Sequence, residues 1–99
     1  MPGLSRSNSR KVSLPIGTIF QTMAEQKPNW LLCDGSPVPE GFSDLSAIMD
    51  SVPDLRPRNI FDGSILSPAP GEGITYFNPS NSSYVYAGTY IPYYIIGKL

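Results

Sequence analysis

The side chains able to do chemistry in this chain are few. Arg56 and Arg58 stand two apart, with Asp54 just before them and Asp34 upstream. In extended backbone that spacing puts both guanidinium groups on one face, where each can fork onto a carboxylate. Asp34 and Asp54 are the candidate acceptors, and a partly buried Arg–Asp clasp is expected. The alternative is solvated surface charge, worth less than about 1 kcal/mol per pair. Cys33 lies in an apolar run without a basic neighbour, which suits a buried, inert thiol rather than a nucleophile. All six tyrosines lie between Tyr76 and Tyr94. There is no His, so His-based triads and His-ligated metals are excluded. The acids are scattered, with no pairing that would raise one carboxyl. Gly71-Glu72-Gly73 lacks the helix and Lys of a phosphate loop. Neither an enzyme nor a cofactor is expected.

The elements that must position these groups are short. The chain has 99 residues, the size of one small domain, with 9 Gly and 11 Pro. That is about a fifth of the chain, against a usual share of roughly 12%. So many breakers exclude a bundle of long helices. No apolar run approaches the ~20 residues of a membrane span. The aromatic content, 11%, is too high for a wholly disordered chain. A single Cys makes no internal disulfide.

Charge divides the chain. Arg6, Arg10 and Lys11 make the opening basic, with little apolar bulk, so residues 1–13 are expected to form a flexible arm. Such an arm is either a frayed terminus or a peg that docks on an acidic neighbour. It has no apolar segment of the kind a secretory signal needs. Three charges are thin support for nucleic-acid binding. Residues 14–99 are expected to form the domain.

Branched and aromatic residues behind Pro15 predict a strand from about Ile16, with both faces covered. Trp30-Leu31-Leu32-Cys33 predicts a buried strand closed by a turn at Asp34-Gly35. Phe42, Leu45, Ile48 and Met49 make one apolar stripe on a short helix. Ser43 is the candidate N-cap, Asp44 suits the first turn, and Pro53 stops the helix by about Ser51. A strand is expected within Asn59–Leu66, a loop over Ser67–Gly73, and strands at Ser83–Ala87 and Tyr93–Ile96. The fold class is therefore β-rich α+β: short strands, one short helix, an extended N-terminal arm and a C-terminal strand.

Three segments in order carry a resemblance. Leu14-Pro15-Ile16-Gly17-Thr18-Ile19, then Trp30-Leu31-Leu32-Cys33-Asp34-Gly35, then Pro53-Asp54-Leu55-Arg56-Pro57-Arg58 resemble the phage tail collar domain of short tail fibres and tail-tip proteins. The match covers roughly residues 14–62. Asn29 and Pro57 stand where that family commonly has Gly. The resemblance implies a small collar-like virion module, a homotrimer attached through its arm to a larger tail, baseplate or capsid protein. It assigns Trp30, Asp34, Gly35, Asp54, Arg56 and Arg58 to the structural motif.

Tyr84, Tyr86, Tyr93 and Tyr94 are candidates for an interface. Tyrosine gives rigid amphipathic contact area between subunits. Stacking on host-surface sugar rings, as in a carbohydrate-binding adhesin, is the alternative. A domain of about 85 residues buries only a little over 60% of its surface alone. Wrapping copies around an axis would hide apolar strands and pair their edges.

Overall fold

The computed structural model describes residues 14–99. The expected arm, with Arg6, Arg10 and Lys11, lies outside the described residues. The chain is small and β-rich, with short antiparallel strands in two sheets and one short helix among the described residues.

The first sheet has three strands, β1 (Ile19–Gln21), β2 (Trp30–Leu32) and, between them, β5 (Tyr93–Ile96). The register sets Ile19 and Leu31 beside Ile95, and Phe20 and Leu32 beside Tyr94. Because side chains alternate across a strand, this sheet has two apolar faces. On one face Ile95 joins Cys33, Leu45 and Val52 in the buried core, with Leu31, Val38, Phe42 and Met49 packed around it. On the other, Phe20 meets Trp30 edge-on at 4.8 Å between ring centres, and Tyr94 lies 6.0 Å from Trp30.

The helix, α1 (Ser43–Ser46), has only four residues. Its N-cap is Phe42, not Ser43, and no side chain caps it; Asp44 does sit in the first turn. Leu45 carries the apolar stripe into the core, whereas Ile48 is 60% exposed. So short a helix depends on packing rather than on its own hydrogen bonds.

The second sheet is a hairpin of β3 (Gly73–Asn78) and β4 (Ser83–Thr89). Thr75 pairs with Tyr86, Tyr76 with Val85 and Phe77 with Tyr84. Asn78 and Asn81 shape the turn by accepting backbone N–H groups two residues on, and Ser82 takes a positive φ of 55°.

Three expectations are corrected. The first strand starts at Ile19, not Ile16, because residues 15–18 close a turn. There the Thr18 amide and hydroxyl both donate to the Pro15 carbonyl, and Gly17 has φ 94°. The expected cover on both faces of that strand also fails, since Ile19 is exposed and only Phe20 packs inward. No strand forms within Asn59–Leu66. Asn59 and Asp62 instead accept from the amides of Phe61 and Ser64, and Asn59 and Ser64 close the loop through the backbone. These local bonds compete with a ladder.

Candidate functional site

The turn after β2 brings the motif residues together. The Asp34 side chain accepts hydrogen bonds from the Ser36 amide, at 3.0 Å, and from its hydroxyl. Gly35 takes φ 82°, the left-handed region that favours glycine. Backbone bonds from Leu55 to Cys33 and from Val52 to Ser36 then lay segment 52–55 beside this turn, with Asp34 opposite Asp54.

Asp54 is the hub. Arg56 donates Nε to Oδ1 at 2.9 Å and Nη2 to Oδ2 at 2.8 Å, and its own amide adds a 3.2 Å bond to Oδ1. Arg58 reaches Oδ2 at 3.2 Å and the Gly63 carbonyl at 3.3 Å. The expected clasp is therefore present. Its acceptor is Asp54 alone, because the Asp34 carboxylate serves the turn. The Arg56 hydrogen bonds hold the Asp54 carboxyl well below the usual carboxylate range, and Asp54 in turn raises Arg56.

Trp30 stands apart from the clasp, half-buried in the aromatic face of the first sheet. Cys33 is buried, and burial pushes its thiol up to about 11. Such a thiol carries little thiolate at neutral pH.

The tyrosines divide. Tyr84 and Tyr86 are 69% and 67% exposed on β4, beside Val85 at 43%. Tyr93 is partly exposed. Tyr94 corrects the expectation, because its ring is buried against Phe20 and Trp30 within its own sheet and offers no free interface.

Asn59 is a structural residue that sequence reasoning missed. It is buried, and its Nδ2 donates to the Phe77 carbonyl at 2.9 Å, tying the loop after the clasp to β3. β3 was missed as well, although Ile74-Thr75-Tyr76-Phe77 carries the branched and aromatic composition of a strand.

Among the described residues, no cluster of His, Cys, Asp or Glu has metal-binding geometry, and no helix is long and apolar enough to cross a membrane. Fold and site together define a small β-rich module with an ion-pair clasp at one turn and a bare hairpin strand. A scan against models of protein families and searches of curated proteins and solved structures find nothing that matches this chain.

Proposed function

We propose that this chain is a structural module of a phage particle, a collar-like tail-fibre, tail-tip or head-fibre piece that works by association without chemistry. Copies assemble, as a homotrimer on the tail-collar resemblance. The basic segment with Arg6, Arg10 and Lys11 docks on a larger tail, baseplate or capsid protein. The clasp at Asp54 keeps the motif turn rigid, and distal loops face a partner or the host surface.

The observation that carries this reading is the exposed apolar surface of β4. Tyr84, Val85 and Tyr86 leave both faces of one strand open, on a hairpin of only two strands. A two-stranded hairpin is marginally stable alone in water, and such a surface gains from cover. Light scattering at micromolar concentration tests it. An assembly of several chains is expected, and a well-folded monomer overturns the proposal.

The exposed rings of Tyr84 and Tyr86 also favour a second reading, a carbohydrate-binding adhesin, since such rings stack on sugars. A glycan array with Tyr84→Ala and Tyr86→Ala controls separates the two. Binding that the substitutions abolish supports the adhesin. No binding with assembly intact removes it.

A further inference from the structure

Over Ser83–Tyr86, strand β4 lacks the devices that keep a sheet edge to itself. Soluble proteins blunt free edges with charge, Pro, a bulge or a covering segment. From Gly73 to Gly97 the chain runs 25 residues without an Asp, Glu, Lys or Arg. Pro79 lies in the hairpin turn and Pro92 just before β5, so neither interrupts β4. The register jump between the Gly73–Thr89 and Thr75–Tyr86 pairs puts the irregularity near Gly88, φ 105°, and leaves Ser83–Tyr86 evenly paired. On the opposite side of the hairpin, Asn59 occupies the Phe77 carbonyl. Among the described residues, no backbone hydrogen bond from outside β3 reaches Tyr84–Ala87.

We propose that this edge pairs with the same edge of a second copy of the chain, antiparallel, about a twofold axis through Val85. The side chains argue for that occupant. Centred on Val85, the run Ser83-Tyr84-Val85-Tyr86-Ala87 is nearly its own mirror. Val85 meets its own copy, each Tyr84 faces a Tyr86, and each Ser83 faces an Ala87. Aromatic pairs directly across a ladder are stabilising, and two identical uncharged strands meet no like-charge repulsion. The Phe77 and Tyr84 rings, 5.1 Å apart within one hairpin, extend the aromatic face beyond the junction. Two marginal hairpins become one four-stranded sheet, β3-β4-β4-β3.

The contact is isologous and yields even numbers of chains. It goes beyond the functional reading above, which rests on the exposed side-chain faces of β4 whereas this contact uses its backbone edge, and the two can be told apart by counting. Light scattering of the wild type is expected to give a dimer, or a hexamer where the threefold contact also forms. Val85→Lys sets two ammonium groups face to face at the axis and is expected to halve the mass. Val85→Thr keeps the strand preference and leaves the mass unchanged. Amide exchange over Ser83–Ala87 is expected to slow as wild-type concentration rises. A wild-type trimer overturns the twofold pairing and leaves the functional proposal standing; a folded monomer overturns both. Folded Val85→Lys with the wild-type mass also overturns the pairing. Should Val85→Lys fail to fold, wild-type exchange independent of concentration overturns it instead.

Discussion

Arg56 grips Asp54 across a single intervening residue, with two parallel hydrogen bonds of 2.9 and 2.8 Å. A fork of this kind fixes the direction of the chain as well as pairing charge. Leu55, between the two, is tied through its amide to the carbonyl of buried Cys33, so the ion pair is held to the residue that follows β2.

The clasp predicts a specific pH dependence. Asp54 is depressed, chiefly by Arg56. A depressed carboxyl contributes stability above its unfolded value of about 3.9 and loses it as pH falls toward the folded value. Asp54→Asn is therefore expected to be less stable than wild type near neutral pH, with the difference shrinking below about pH 4. Urea unfolding of both proteins across that range measures it. A pH-independent difference would show that the carboxylate charge is not what holds the segment.

Gly35 sits where an added side chain would be strained and tightly packed. Its φ is 82°, and an added Cβ would lie 3.2 Å from the Asp54 Cβ. Gly35→Ala is expected to cost about 1–2 kcal/mol from the left-handed backbone. Crowding of the clasp adds to that. Thermal melts of Gly35→Ala, alone and combined with Asp54→Asn, check it. The combined loss should be less than the sum, because contacting sites couple.

Two tyrosines of the same cluster are expected to behave oppositely. Tyr94→Ala removes a buried ring and should cost about 3 kcal/mol or more of folding stability. Tyr84→Ala removes an exposed ring and should leave folding within about 0.5 kcal/mol while weakening assembly. Melting curves paired with sedimentation separate the two effects.

Cys33 is expected to resist thiol reagents in the folded protein. With its pKa pushed from 9.0 up to about 11, its thiolate fraction near pH 8 falls roughly 100-fold. Burial blocks access as well. Labelling with a disulfide reagent should be slow in buffer and rapid in denaturant. Fast labelling of the native chain would place Cys33 on an accessible surface.

The parts legible in the sequence are those fixed by local chemistry. Trp30–Leu32 and Tyr93–Ile96 are apolar runs bounded by turn residues, and they form strands. Asp34-Gly35 turns the chain because an Asp accepts its neighbours' amides and a Gly tolerates positive φ. The clasp was legible as a spacing, although its single acceptor was not, since Asp34 has the same side chain and differs only in what it already holds. The Asn59 bond to Phe77 spans 18 residues and has no local signal. The burial of Tyr94 follows from its place in the central strand, which composition does not reveal.

That central strand has a consequence for how the chain is made. Among the described residues β1 and β2 are joined only through β5, which follows both of them in the chain. Until it emerges, Ile19 and Leu31 have no common neighbour, and the buried cluster around Ile95 lacks its middle. The sheet therefore closes only once β5 has been made, and a nascent chain stalled before Tyr93 holds two unjoined strands.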